Sequence, residues 1–346
     1  MKSHRREAKL AAHATALRQR SRAAGFTLVE LMVALALTLI VVVFASAALL
    51  VARRGATTVD AVSQLQDNAR FATEMIQRLT AQVGYLDTDN AVETDGGAFV
   101  VAGAVVAEPF VHGYDDAVDL VGEVAINGSR STGCSASAGT ACDNGSDILV
   151  LRSQASPRTP GAKSTDGTML DCMGNSIDLV PASRNDMGIS ILHLRVGSDG
   201  EPSLMCSVGN STSGKTTMTG SNQPIVQGVE NFQVLYGVDG ALPNVRPTGT
   251  GDAVAERYLR ASQMVVPGDD EGTRMNWQRV RSLRIGLVLR GPPNSAQDRT
   301  VRPTLYPFGE ALASPDDVGT RFMPSMDGRL RQALSFTVYL HNRQQS

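Results

Sequence analysis

The chain contains one complete phosphate-loop pattern, Gly209-Asn-Ser-Thr-Ser-Gly214-Lys215-Thr216. In such a loop, backbone amides and the N-terminus of a following helix face the anion, so a strand must precede it and a helix must follow. Ser203–Val208 reads as the strand. Thr217-Met-Thr-Gly-Ser-Asn-Gln-Pro224 reads as turn, so the helix is missing and the pattern is a chance product of Ser/Thr/Gly-rich text. Nucleophilic catalysis has no better footing. Of five histidines, His4 and His13 fall in a basic N-terminal segment, which leaves His112, His193 and His341. No G-x-S-x-G elbow accompanies them, and His193, inside alternating strand text, reads as a half-buried sheet residue. The acidic pairs Asp115-Asp116, Asp269-Asp270 and Asp316-Asp317 lack the Asp/Asn/Gly spacing of a calcium loop and read as solvated turns, as do Asp87 and Asp89. The expectation is no enzyme, no cofactor and no metal.

One charge sits where it is expensive. Glu30 lies inside the apolar run bounded by Gly25 and Arg54, and an unpaired charge near a bilayer centre costs at least ~2.5–3.5 kcal/mol. A run of about 27 residues spans roughly 40 Å as a helix, enough for a hydrocarbon layer of about 30 Å. Ahead of Gly25 stands a polar, basic leader rather than the short basic region, apolar region and cleavage site of a signal peptide. A cut after Gly25 would leave the apolar run on the mature chain and give Phe26 a free cationic amine, with Glu30 one helical turn on. A carboxylate among apolar helices needs a partner, and an amine of its own or a neighbouring subunit is the nearest. Such a pair would set the register between subunits.

Charge gives the orientation. The first 25 residues hold seven basic residues against Glu7, so removing this +6 takes the chain from −2 to −8. A basic leader facing only Arg53 and Arg54 places the N-terminus in the cytoplasm, and the rest outside, in the periplasm if the cell has two membranes. A mildly acidic exterior argues against nucleic acid as a partner. The phosphate-loop pattern then also lies where nucleotide is scarce. The four cysteines suit an oxidising address, where an even number suggests two disulfides in one of three pairings. The local pairs Cys134–Cys142 and Cys172–Cys206 are favoured, for about 2.5 and nearer 4 kcal/mol by chain entropy. No C-x-x-C or finger spacing supports zinc.

The elements that position these residues follow from periodicity. A helix is expected from Phe26 to about Val83, with Gly84 as its stop. Its second half carries an apolar stripe at Val59, Val62, Leu65, Ala69, Ala72, Met75 or Ile76, and Leu79. Phe99-Val-Val-Ala and Pro109-Phe-Val read as short strands. Longer ones are Asp147–Gln154, Ile189–Val196, Ser203–Val208, Val229–Val238, Arg279–Leu289 (with a change of phase near Ser282) and Ser335–His341. Ser156–Gly167, Gly209–Pro224, Pro243–Gly251 and Gly291–Ala296 read as connectors. The chain is thus expected to be α+β, a long helix whose amphipathic half packs on an antiparallel sheet. Its parts are a leader (1–25), a membrane or filament-core half-helix (26–54), an amphipathic half-helix (55–83) and a globular head (84–346).

Gly25-Phe26-Thr27-Leu28-Val29-Glu30 resembles the cleavage motif of type IV prepilins and type II secretion pseudopilins. The resemblance makes Gly25 the last leader residue, Phe26 the N-methylated first residue and Glu30 the glutamate that sets assembly register. Val226–Asp239, Tyr258–Ala261, Trp277–Val280 and Val280–Arg290 resemble the PilW family of large minor pilins, as does the pair Cys172 and Cys206. That family implies a protein that assembles with other minor pilins and the major pilin to prime pilus assembly, at the tip beneath an adhesin. It also implies prepilin peptidase and an inner-membrane assembly platform as partners. The alternatives are a J-type minor pseudopilin of a type II secretion system, which shares the plan, and a single-span periplasmic enzyme dependent on Lys215 or a histidine.

Overall fold

A computed structural model describes residues 25–87, 108–117, 126, 145–197, 199–212, 215–296, 298, 300 and 302–341. The chain divides after Arg53 into two compact units, and helix α1 (Leu28–Gln82) runs through the division. Its first turn is closed by a reciprocal pair. The Thr27 hydroxyl accepts from the Glu30 amide at 3.2 Å, and the Glu30 carboxylate accepts from the Thr27 amide at 2.9 Å. This is a capping box, which satisfies two otherwise orphaned helix-end donors.

In the first unit, the large apolar side chains from Leu28 to Val51 are each more than half exposed. This part of α1 is long and apolar enough to cross a membrane. In the second unit, α1 buries Ala61, Leu65, Ala69, Ala72, Ile76 and Leu79. The stripe is rotated at its start from the expected one: Val59 is 65% exposed and Val62 lies at the rim. Two small contacts explain the phase. Ala61 lies against Gly291, and the Thr58 hydroxyl donates to the Ser295 carbonyl at 3.2 Å. Close backbone approach decides the face here. The helix stops at Gly84, whose φ of +77° suits a residue without Cβ, and its amide donates to the Arg152 carbonyl.

The head holds β1 (Val111–Tyr114), β2 (Ile148–Ser153), β3 (Met187–Val196), β4 (Pro202–Thr212), β5 (Lys215–Gln227), β6 (Val229–Val238), β7 (Arg257–Leu259), α2 (Ala261–Met264), α3 (Asp270–Gln278), β8 (Val280–Arg290) and β9 (Arg331–Tyr339). The strands form two antiparallel sheets where one was expected, ordered β1-β2-β3-β4-β5 and β7-β6-β8-β9. One core joins the α1 stripe to both sheets. A smaller cluster (Tyr114, Ile148, Val150, Ile189, Ile191) fills the opposite face of the first sheet. The phase change near Ser282 is a bulge: Val238 faces Val280 and Gly237 faces Ser282, which leaves Arg281 as the extra residue.

The connector expected at Gly209–Pro224 is a correction. Most of it belongs to the β4–β5 hairpin, whose ladder from Ser203↔Gln227 to Thr212↔Lys215 contains two register breaks. Pairing to β4 overrides the turn-forming composition of β5.

Candidate processing and assembly segment, and the polar sites of the head

Gly25 and Phe26 stand exposed ahead of α1, with Phe26 at 86%. A Cβ at Gly25 would meet nothing within 4 Å, so packing gives no reason for glycine there. The Glu30 carboxylate also accepts from the Thr27 hydroxyl at 3.0 Å. The role of Thr27 was not drawn from the sequence, although Thr-x-x-Glu ahead of an apolar run is a readable capping signal. The leader residues 1–24 lie outside the described residues, as do Asp89, Phe99-Val-Val-Ala, Cys134 and Cys142.

Cys172 and Cys206 are joined, with a Cα–Cα distance of 5.8 Å. The bond ties the connection between β2 and β3 to β4 inside the main core. The same connection is fastened to α1, where the Leu170 amide donates to the Gln82 side chain at 2.8 Å.

The described residues of the phosphate-loop pattern lie in the paired strands β4 and β5. The strand that Lys215 begins occupies the place where a phosphate cradle needs its helix. His193 is fully buried on β3, not half-buried, and its Nε2 lies 2.9 Å from the Ser207 hydroxyl, which donates to Asn222 Oδ1 at 2.6 Å. This polar row links β3, β4 and β5 across the sheet. His112 is buried at β1, where Nδ1 lies 2.8 Å from an Arg152 guanidinium nitrogen and the ring packs edge-on to Tyr114 and Trp277.

The acidic pairs divide: Asp270 and Asp316 are exposed as expected, whereas Asp115, Asp269 and Asp317 are tied into the fold. Asp269 caps α3, accepting from the Gly272 amide at 2.8 Å. Asp115 accepts from the Ala261 and Ser262 amides, each at 2.8 Å. Asp147 bridges the two sheets, accepting from Val234 at 2.7 Å and Asp116 at 3.2 Å. Burial, with the charges of Asp115 and Asp317 nearby, pushes the Asp147 carboxyl well above the usual range. Asp317 is pushed up to about 6, first by burial and then by the charge of Asp115. Among the described residues, no group of three or more His, Cys, Asp or Glu side chains is arranged to hold a metal ion.

A second charged group is balanced. Arg331 binds Glu230 at 2.6 Å and Asp327 at 2.8 Å, while Arg290 and Arg329 bind Glu201 at 2.9 and 2.6 Å. These pairs clasp β6, β8 and β9 to the turn before β4 and the segment before β9.

Two family models match the chain. Residues 20–46 match the prokaryotic N-terminal methylation motif, and residues 191–342, from within β3 through β9, match the family described as Type IV Pilus-assembly protein W. Among solved structures, the chain is similar to a type IV-like pilin from Thermus thermophilus, at 13% identity over 80% of this chain and 97% of that one, with a TM-score of 0.35. No curated protein matches. The motif, the exposed apolar helix and the matched head define a type IV pilin-like protein, a structural component of a pilus and not an enzyme. Within that class, residues 191–342 carry a PilW domain. The two matches imply membrane anchoring through α1, contact with other pilins and processing by a prepilin peptidase.

Proposed function

We propose that this minor pilin is cut between Gly25 and Phe26, methylated at Phe26, and assembled with other minor pilins to prime a pilus, at its tip. Before assembly it spans the inner membrane once with its head in the periplasm. The reading rests above all on one arrangement. An exposed Gly25-Phe26 junction opens onto a capped helix whose first half is apolar on every side, while its second half packs on a folded head. The first half supplies a surface for other pilin helices. The second packs on the head.

Glu30 has a role at each stage of this reading. In the uncut chain its carboxylate is held by Thr27, which offsets part of the cost of an apolar setting. Cutting places an ammonium on Phe26, and a neighbouring subunit's ammonium can then compete for the same carboxylate and fix the stagger between helices. The head is large for a pilin subunit by its length of chain (residues 84–346), which would crowd a repeating shaft and suits a low-copy position. The major pilin, the inner-membrane assembly platform and a tip adhesin are the remaining partners in this reading. The deciding experiment is mass spectrometry of the N-terminal peptide from membrane-extracted protein, with and without prepilin peptidase. A methylated Phe26 terminus that depends on the peptidase supports the proposal. An intact leader, or a cut beyond the apolar run, sinks it.

A further inference from the structure

The two sheets have four outer strands, and three of them are blunted against pairing. β1 is four residues long and buried throughout. β7 has three residues. β5 carries Pro224, a left-handed Gly220 (φ +74°) and two register breaks. Natural proteins use such devices to protect sheet edges.

β9 has none of them. Its nine residues run in unbroken register with β8, from Ser282↔Tyr339 to Arg290↔Arg331. It contains no proline, no lysine and no bulge. Its one charge, Arg331, is turned into the ion pairs with Glu230 and Asp327, leaving the side chain 4% exposed.

The hydrogen-bond phase identifies what this edge presents. The Leu340 amide donates to the Arg281 carbonyl at 2.9 Å, and the Gly291 amide donates to the Leu330 carbonyl at 2.8 Å. In an antiparallel pair, hydrogen-bonded and non-hydrogen-bonded positions alternate. The even residues of β9 therefore bond to β8, and the amides and carbonyls of Arg331, Ala333, Ser335, Thr337 and Tyr339 point outward. Among the described residues no strand lies beyond them. Leu334, Phe336 and Val338 pack toward the core, whereas Ala333, Ser335 and Tyr339 are exposed, Tyr339 at 66%.

We propose that the open edge of β9 receives an extended strand from a different pilin subunit, which continues the β7-β6-β8-β9 sheet across the subunit boundary. Donors and acceptors repeating every second residue, about 6.8 Å apart, match another extended backbone and little else. Small uncharged side chains at Ala333, Ser335 and Thr337 leave room for a neighbouring strand. Charge selects against a second copy of this chain: residues 1–54 carry +7, so residues 55–346 carry −9 of the total −2, and two such heads repel. The fitting partner is a subunit with a neutral or basic head. This inference rests on the pilin reading and adds the surface and the kind of partner.

The test uses the full chain in cells that also carry the other pilins. A photo-cross-linking residue is placed in turn at Ala333, Ser335 and Thr337, and the linked peptides are mapped by mass spectrometry. The expected result is one segment of one other pilin, contacted at positions two residues apart and in a fixed order. Ser335→Pro removes an outward amide and should cut both cross-linking from Thr337 and recovery in pili at least tenfold. N-terminal processing and the thermal melt should stay as in the unsubstituted chain. Links between copies of this chain, links to its own residues 88–107 or 118–144, or unordered links would overturn the proposal. So would undiminished pilus recovery of Ser335→Pro. An unsubstituted chain that is never processed would refute the pilin reading itself. A chain processed and incorporated without ordered links refutes the edge pairing alone.

Discussion

Replacing Asp317 with Asn should make the head more stable at pH 8 and change little at pH 4. Asp317 lies 6% exposed among Asp115, Asp116 and Asp147, with Arg260 as the cation that acts on it. Its carboxyl is pushed up to about 6 from an ordinary 3.8. The folded state therefore binds this proton more tightly than the unfolded state. The stability it contributes is fully present below 3.8 and is lost as pH rises through about 6. The difference, at ~1.36 kcal/mol per pKa unit, is about 3 kcal/mol. Asn keeps a carbonyl oxygen for the Gly319 amide and never acquires the charge. For a head of this size, with an unfolding entropy of ~2.1 cal/mol/K per residue, that corresponds to a rise of about 5 °C at pH 8. Trp277, the single tryptophan, packs edge-on to Tyr236 at 4.8 Å and reports unfolding by fluorescence. Thermal melts of the detergent-solubilised full chain from pH 4 to 8 would measure the gap between variant and parent. A gap that is constant across this range, or a variant less stable at pH 8, would refute the account of the acidic cluster.

Three other perturbations have expected magnitudes. Converting both Cys172 and Cys206 to Ala should cost about 4 kcal/mol by the chain-entropy relation, read as a lower denaturation midpoint that reductant no longer shifts. Arg331→Ala leaves Glu230 buried without this partner and should cost about 3–5 kcal/mol. The double variant Arg331→Met, Glu230→Met should recover much of that loss in chemical denaturation, and no recovery would mean the pair's geometry matters beyond charge cancellation. Thr27→Val removes the hydroxyl that accepts from Glu30 and should cost about 1 kcal/mol at the helix start. Faster amide exchange confined to Leu28–Glu30 would register it, and unchanged exchange would count against the capping box.

What could be read in advance depended on whether local pattern or distant pairing set the structure. The helix was legible from end to end because its apolar run, its stripe and Gly84 agree. Only the start of the stripe was misplaced, since Thr58 and Ala61 gain their positions from Ser295 and Gly291, more than 200 residues away in sequence. β2, β3, β6 and β8 were legible as apolar runs between turn residues. β5 was not, because Thr, Ser, Gly and Pro224 become a strand only through β4. The division into two sheets was equally hidden, as register is decided by cross-strand contacts that no single segment carries. Asp115 and Asp317 were read as turn residues and Asp147 as the start of a strand, and nothing local announces that three chain segments bring them together. The Thr27–Glu30 pair was the reverse case, a local signal present in full beside a more conspicuous one.

The bond between Cys172 and Cys206 also has a mechanical meaning for a protein built into a filament. The two residues are 34 apart in sequence, a length of chain that could stretch to roughly 115 Å if freed, at ~3.4 Å per residue. That stretch includes all of β3 and the start of β4, and the bond short-circuits it. Tension that unravels the head can draw out the chain on either side of the bond, but the enclosed loop adds only the few ångströms across the sulfurs. Extensibility under load is thereby set by the redox state of two buried atoms. A head oxidised before assembly would enter the filament as the stiffer element.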